Sequence, residues 1–144
     1  MPAVPRVVLD TNVVLDLLHF RDPGVVIIDA AIRSGAVQAV TDAGCLEELR
    51  RVLIYAEFGL DEAARETLLA RYRQCALTLD APTAAAAWAP RCSDADDQKF
   101  IDLALHCGAA FLISKDKAVL RLARRMARIS SCIVVAPVRL TLPG

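Results

Sequence analysis

The sequence is poor in the residues on which several common chemistries depend. It contains two histidines, His19 and His106, and neither lies at a metal-ligand spacing or beside a candidate nucleophile. Its five cysteines are widely separated and include no CxxC pair, which leaves a zinc or redox site of that kind without support. We therefore expect reduced cysteines in structural positions and no catalytic triad built on histidine.

Long apolar runs, net charge and aromatic residues are also scarce. No apolar run reaches the roughly 18 residues that span a bilayer, and no charged leader opens the chain, so we expect a cytoplasmic protein with no membrane partner. The formal net charge is +0, which means that bulk electrostatics alone would not hold a nucleic acid. Aromatic residues are 5% of the chain and offer no evident platform for stacking bases. No glycine-rich phosphate loop follows a predicted strand.

The residues that are present indicate a well-packed globular protein. Of the 144 residues, 56% are hydrophobic and 24% are charged, which fits a single domain over residues 1–144. Residues 115–144 carry seven basic side chains and one acid, so the first 114 residues are net acidic. An acidic site that faces a basic strip would explain this asymmetry, and solvated helix faces would explain it equally well.

Short apolar segments alternate with stretches of helical periodicity along most of the chain. Strands are predicted at 6–9, 36–40, 109–114 and 132–135, and helices at 13–20, 25–33, 45–58, 61–74, 94–107 and 117–128. Residues 77–92, which contain two prolines and a run of alanines, carry no clear prediction. The alternation predicts an α/β fold of three layers, with a central, mainly parallel sheet flanked by helices.

Two acids follow predicted strands. Asp10 comes directly after the strand 6–9, and Asp116 comes two residues after the segment FLIS. A single aspartate after a strand is most often a turn former or a helix cap. The carboxyl ends of parallel strands share one edge of the sheet, however, and ligands bind at that edge. We therefore expect the two acids to lie close together.

The predicted helix 94–107 carries one acid on its buried side. A rotation of 100° per residue places Asp97 in the inward sector, whereas Asp102 faces solvent. Asp94 and Asp96 are better placed to cap the helix. A carboxylate on a buried face is unfavourable unless it is paired, protonated or bound to a metal, so Asp97 needs a partner.

Glu48 is the fourth candidate acid. It lies at the edge of the apolar face of its helix, whereas Glu47 points away from that face. Clustered carboxylates without His or Cys suit Mg²⁺ or Mn²⁺, and two such cations about 3.5–4 Å apart can cleave a phosphodiester by activating water. The acids expected to bind metal and to act in catalysis are Asp10, Glu48, Asp97 and Asp116.

The segments VVLDTNVVLDLL, LEELRRVL and DADDQKFIDLALHCGAAFLISKD together resemble the PIN-domain family, in particular its stand-alone bacterial members. The resemblance covers nearly the whole chain, and it matches the family's four acids, in chain order, to Asp10, Glu48, Asp97 and Asp116. It also matches Asn12 and Ser114 to polar positions near the metals or the substrate phosphate, although Asn12 fits a helix cap as well.

The resemblance implies a metal-dependent ribonuclease that cleaves single-stranded RNA. In many members this activity is the toxin of a toxin–antitoxin pair, and an antitoxin here would cross the acidic groove as a peptide. Protomers of the family often pair through helices, so a homodimer is also implied. The DADD segment, together with SKDK in place of the family's more common T-x-D pattern, is closer to stand-alone PIN proteins other than these toxins.

Four arginines follow Asp116 at helical spacing. They recur at i, i+3, i+4 and i+7 and form one basic stripe on the predicted helix. The stripe would bind substrate by tracking an RNA backbone, and the alternative is a solvated helix face. The four residues are Arg121, Arg124, Arg125 and Arg128.

Two other functions fit parts of the pattern. A phosphatase with an aspartyl nucleophile would use an acid after the first strand, but Asn12 replaces its usual second acid and Glu48 is left unexplained. A non-catalytic module that binds RNA or a protein partner would keep the fold without the activity, and the presence of all four acids argues against it.

Overall fold

The computed structural model of the protein describes residues 4–20, 22–80 and 89–140. The strands in this part are Arg6–Leu9 (β1), Gln38–Asp42 (β2), Ala76–Leu79 (β3), Phe111–Ile113 (β4) and Ile133–Val135 (β5). The α-helices are Thr11–Leu15 (α1), Val26–Ser34 (α2), Ala43–Leu53 (α3), Glu62–Cys75 (α4), Gln98–Cys107 (α5), Lys117–Leu120 (α6) and Ala123–Ile129 (α7).

The strands form one parallel sheet in the order β3-β2-β1-β4-β5. β1 lies at the centre, where Val8 is in register with Val40 of β2 and with Leu112 of β4. A central parallel strand is covered on both faces, so its side chains must be apolar in both directions. This requirement explains the nearly continuous apolar runs that identify β1 and β4 in the sequence.

Apolar clusters on the two faces of the sheet make three layers. Val7 and Leu9 of β1 pack with the buried faces of α1, α2, α3 and α4. Val8 points the other way and packs with α5, α6 and α7. The predicted three-layer α/β fold is therefore confirmed, and the sheet is parallel throughout the described strands.

The order of the strands creates a cleft at one edge of the sheet. After β1 the chain adds β2 and β3 on one side, and it later places β4 and β5 on the other. β1 and β4 therefore flank a topological switch point, where parallel sheets bind ligands at their carboxyl ends. Asp10 follows β1 at this edge, and its amide donates to the carbonyl of Ile113 in β4 at 3.1 Å.

The predicted capping role of Asn12 is wrong. Asp10 caps α1 instead, because its Oδ1 accepts from the amide of Val13 at 2.9 Å. Asn12 lies inside the first turn of α1 with its side chain exposed. The sequence prediction started the helix two residues too late, so it chose the wrong capping side chain.

Two helix predictions are too long. The helix predicted at 45–58 ends at Leu53, because the apolar face stops there and Ile54 and Tyr55 are exposed. The helix predicted at 117–128 is divided into α6 and α7. The division occurs at Leu122, whose amide donates to the carbonyl of Val119 three residues back and tightens the turn.

The unassigned stretch 77–92 contains most of an edge strand. β3 runs from Ala76 to Leu79 beside β2, whereas residues 81–88, including Trp88, lie outside the described residues. All five cysteines are free, in agreement with the sequence prediction. None of the described helices combines the length and hydrophobicity that a bilayer crossing requires.

Candidate functional site

Asp10 is buried at the carboxyl end of β1, and both of its carboxylate oxygens have partners. Oδ1 accepts from the amide of Val13, and Oδ2 accepts from the hydroxyl of Ser114. Burial raises the pKa of Asp10, and the nearby charge of Asp116 adds to the rise, while the two hydrogen bonds oppose it. The carboxylate is therefore held in one orientation at the cleft.

Ser114 connects the acids that follow β1 and β4. Its side chain is fully buried, and its hydroxyl donates to Asp10 while it accepts from the amide of Asp116 at 3.0 Å. Ser114 therefore fixes the loop that carries Asp116 against Asp10. A direct contact between Ser114 and a substrate stays a prediction.

Three carboxylates converge beside this loop. Oxygen atoms of Asp94, Asp97 and Asp116 all lie within 4.8 Å of one another. Asp116 also caps α6 through the amide of Ala118 at 2.8 Å, and Asp94 accepts from the amide of Asp96 at 3.0 Å. The expected cap at Asp94 is thus present, but Asp94 also belongs to this group of carboxylates. We call Asp94, Asp97 and Asp116 the acidic cluster.

Within the acidic cluster, Asp97 is the residue most affected by burial and by the neighbouring negative charges. Its Oδ2 is buried and has no hydrogen-bond partner among the described residues. The pKa of Asp97 is raised to about 7, mainly by desolvation and then by the adjoining Asp116, Asp94 and Asp10. The cluster therefore disfavours its own negative charge when no cation is bound.

Glu48 lies in a different environment. It is partly buried on α3, and its Oε1 is 2.7 Å from Nζ of Lys99 on α5. Its Oε2 accepts from the hydroxyl of Thr11, the residue after Asp10. The neighbouring Glu47 is exposed and pairs with Arg50 at 3.8 Å, so Glu48 is the inward glutamate, as expected.

Comparison of the sequence with known protein families identifies the family to which these acids belong. A family model described as PIN domain matches residues 6–118. The chain belongs to the PIN-domain family. The match begins with β1 and ends within α6, so it includes Asp10, Glu48, Asp97 and Asp116. No curated protein matches the chain with significance.

PIN domains are generally metal-dependent nucleases that bind divalent cations through acidic residues. The acidic cluster fits such a cation, because its donors are all carboxylate oxygens, which suit Mg²⁺ or Mn²⁺ better than a softer metal. The buried Oδ2 of Asp97, which lacks a partner among the described residues, and the raised pKa of Asp97 point the same way. A bound cation would coordinate this oxygen, and its positive charge would lower the pKa of Asp97.

Gln98 supports the segment that carries Asp94 and Asp97. Its Oε1 accepts from the amide of Cys92 at 2.7 Å, and its Nε2 donates to the carbonyl of Pro90 at 3.0 Å. The same Nε2 donates to Asp102 at 3.1 Å, and Asp102 is half-buried rather than fully exposed to solvent as predicted. Gln98 therefore anchors the chain just before the acids.

Sequence reasoning missed four contributors to this site: Asp94 as a cluster member, Thr11, Gln98 and Lys99. The spacing of Asp94 three residues before Asp97 is a signal that could have found the first. The other three act through contacts between distant elements, which leave no local pattern. Among the predicted residues, Asn12 is exposed on α1, and its predicted contact with substrate stays a prediction.

The predicted basic stripe lies after the acidic cluster and outside the matched residues 6–118. All four arginines are exposed, and within the described part of the chain none of them forms an ion pair. Arg121 follows α6, and Arg124, Arg125 and Arg128 are on α7, so the prediction that all four lie on one helix is wrong. Their positive charge is therefore available to a ligand.

Proposed function

We propose that this PIN domain is an endoribonuclease that cleaves single-stranded RNA with Mg²⁺ or Mn²⁺. The observation that carries the proposal is the acidic cluster, three carboxylates gathered at the switch point of the sheet with one buried oxygen that lacks a partner in the described part of the chain. Carboxylates are rarely crowded together with a buried, unpaired oxygen unless a ligand compensates their charge. Asp94, Asp97 and Asp116 would hold the cation.

A bound cation would supply Lewis acidity to the phosphodiester and activate the attacking water. The residues of the chain do the positioning. Ser114 and the amide of Val13 hold Asp10 rigidly beside the cluster, and Gln98 anchors the segment before Asp97. Asp94 is exposed, so the cluster is open to a polymeric substrate on that side.

The arginines of α6 and α7 support RNA as the substrate. Phosphate groups are bound by unpaired basic side chains, and binding by such contacts is independent of base sequence. The four exposed arginines lie on the helices that follow Asp116 in the chain. An RNA backbone that lies along them would bring a phosphodiester toward the cluster.

The biological role that we attach to this activity is the toxin of a toxin–antitoxin pair. An antitoxin peptide with an arginine would find in the acidic cluster a partner for charge-assisted hydrogen bonds. Growth arrest on expression in a bacterial host, relieved by Asp97→Asn, would support the toxin role. Unimpaired growth by cells that contain active ribonuclease would contradict it.

The domain extent and the oligomeric state complete the proposal. We propose one PIN domain over residues 1–144, of which the family match covers 6–118. A homodimer would pair helices in the manner common for small symmetric oligomers. Sedimentation of the purified chain distinguishes a dimer from a monomer.

Cleavage of labelled single-stranded RNA tests the enzymatic function. The wild type should cleave with Mn²⁺ or Mg²⁺ and lose activity in EDTA. Asp97→Asn should lower the rate by about a thousandfold or more, as removal of a group that acts within a catalytic unit does. Asp102→Asn is the matched control on the same helix. It should remain active because Asp102 is not one of the clustered carboxylates, and the amide oxygen of an asparagine can still accept from Gln98.

Two results would contradict the proposal. Equal activity of wild type and Asp97→Asn would separate the cleavage from the cluster. A folded wild type that binds Mn²⁺ and RNA but cuts no RNA would favour the non-catalytic binding module instead.

A further inference from the structure

The ion pair between Glu48 and Lys99 carries an inference that rests on the proposed function. The four acids of the family lead us to expect two cations, yet in this chain one of those acids has a lysine beside it. Nζ of Lys99 is 2.7 Å from Oε1 of Glu48, and the side chains are only 25% and 14% exposed. The hydroxyl of Thr11 binds the other oxygen.

Glu48 is therefore compensated on both oxygens by groups of the chain itself. Lys99 supplies a full positive charge and Thr11 supplies a neutral donor. Partial burial strengthens the attraction between the charges relative to an exposed pair. A divalent cation that used Glu48 as a ligand would have to displace or repel the ammonium group.

The acidic cluster offers the opposite situation. Its oxygens lie within 4.8 Å of one another, and no lysine or arginine of the described residues forms an ion pair with Asp94, Asp97 or Asp116. Lys99 is only two residues after Asp97 on the same chain, but its ammonium points to α3. The acidic cluster therefore has no cation supplied by the chain, whereas Glu48 already has the ammonium group of Lys99 beside it.

We propose that Lys99 is a built-in cation of this PIN domain and limits it to one divalent metal ion. Its ammonium holds Glu48 and takes the place of a second metal beside that carboxylate. The single divalent cation is bound by Asp94, Asp97 and Asp116. Lys99 is a positioning residue, since it acts through Glu48.

The number of bound Mn²⁺ ions tests the inference without any measurement of nuclease activity. The full chain is titrated with Mn²⁺, and the loss of the electron paramagnetic resonance signal of free Mn²⁺ gives the stoichiometry. Wild type should bind one Mn²⁺ per chain. Lys99→Met should bind a second ion, because Glu48 then has no positive charge beside it. Lys99→Arg should restore the single ion because it keeps the charge.

Lys117→Met is the matched control for the loss of a positive charge near the cluster. Lys117 is exposed and follows Asp116, but no ion pair joins it to Glu48. It should leave the stoichiometry at one ion. A lysine that only ties α3 to α5 would change stability in the Lys99→Met variant and leave its stoichiometry unchanged, and that result would overturn the inference.

Glu48→Gln in the wild-type background keeps the test decisive if Lys99→Met does not fold. The inference predicts one Mn²⁺ with an affinity within about threefold of wild type, because Glu48 is not a ligand. A loss of about tenfold or more, on the scale of metal sites that lose a supporting group, would overturn it.

The failures of the two proposals are distinguishable. Two Mn²⁺ ions in the wild type overturn this inference and leave a metal-dependent ribonuclease intact. No Mn²⁺ binding by folded wild type overturns the inference and the metal-dependent function together.

Discussion

Asp97 and Glu48 are both helical acids on the inner side of the cleft, but their surroundings differ in one respect. Glu48 on α3 has an ammonium group at 2.7 Å and a hydroxyl on its other oxygen. Asp97 begins the helix that carries this same ammonium, yet its nearest charged neighbours are two other carboxylates. Glu48 is thus paired with a cation of the chain, whereas Asp97 is surrounded by other carboxylates.

Because of this difference, Glu48 contributes to the stability of the fold, whereas Asp97 is stabilised only when a cation binds. A lysine beside a partly buried carboxylate offsets the free energy that desolvation of the carboxylate costs. A carboxylate crowded by other carboxylates raises the free energy of the fold, and such a group persists in a protein when function requires it. Variants that remove the lysine beside Glu48 or the charge of Asp97 test this difference between the two acids.

Removal of the lysine should make Glu48 resemble Asp97. Lys99→Met leaves a partly buried carboxylate with only Thr11 as a partner. We expect the free energy of unfolding in EDTA to fall by about 2 kcal/mol, between the values for exposed and for buried pairs. Urea denaturation followed by circular dichroism measures the change.

Two further variants control this prediction. The exposed pair of Arg33 and Asp29 has side chains that are 74% and 39% exposed, so Arg33→Met should change stability by less than about 0.5 kcal/mol. The double variant Lys99→Met/Glu48→Gln should recover most of the loss. A loss of equal size in the double variant would show that packing, rather than charge, causes it.

Neutralisation of Asp97 should make the apo protein more stable. The pKa of Asp97 in the fold is about 7, above the ordinary value of 3.8, so between these values the folded chain keeps a proton that the unfolded chain releases. The contribution of Asp97 to stability is therefore fully present below about pH 3.8, and it is lost as the pH rises from there to about 7. Asp97→Asn should raise Tm by about 3 °C near pH 8 in EDTA.

The gain should be smaller near pH 5, and it should vanish only below about pH 3.8, where Asp97 is protonated in the unfolded chain as well. Thermal unfolding of wild type and variant at both pH values provides the comparison. Destabilisation by Asp97→Asn near pH 8 would mean that the carboxylate has a stabilising partner in the fold. That result would contradict the claim that repulsion from the neighbouring acids dominates at Asp97.

The basic stripe should make the smallest measurable contribution. Arg128→Ala on α7 removes one phosphate contact, so the dependence of RNA affinity on salt should weaken by about 0.7 in the slope of log K against log salt. Fluorescence anisotropy with single-stranded RNA over a range of salt concentrations measures the slope. Arg33→Ala is the control, since Arg33 pairs with Asp29, and an equal change in both variants would assign the effect to net charge alone.

Much of the fold could be predicted from local patterns. β1 and β4 are central strands, and burial on both faces makes residues 7–9 and 111–113 continuously apolar. β3 could not be predicted in this way, because it is an edge strand in which Leu77 and Thr78 are exposed. Its position depends on pairing with β2, and pairing between distant segments leaves little trace in a short sequence.

The same distinction applies to the site. Asp97 could be located by helical periodicity, and Asp10 and Asp116 by their positions after strands. The approach of Lys99 to Glu48 depends on how α5 packs against α3, so no local pattern indicates it. The cap role of Asp94 could be predicted from its position before the helix, but its convergence with Asp116 requires the loop geometry that Ser114 maintains.

Thermal stabilisation by Mn²⁺ tests the central claim that the acidic cluster is the cation site. We expect saturating Mn²⁺ to raise the Tm of wild type and Asp102→Asn by several degrees, as binding to the folded state requires, and to leave Asp97→Asn nearly unchanged. Equal increases in all three proteins would contradict the claim, because the cation would then bind elsewhere.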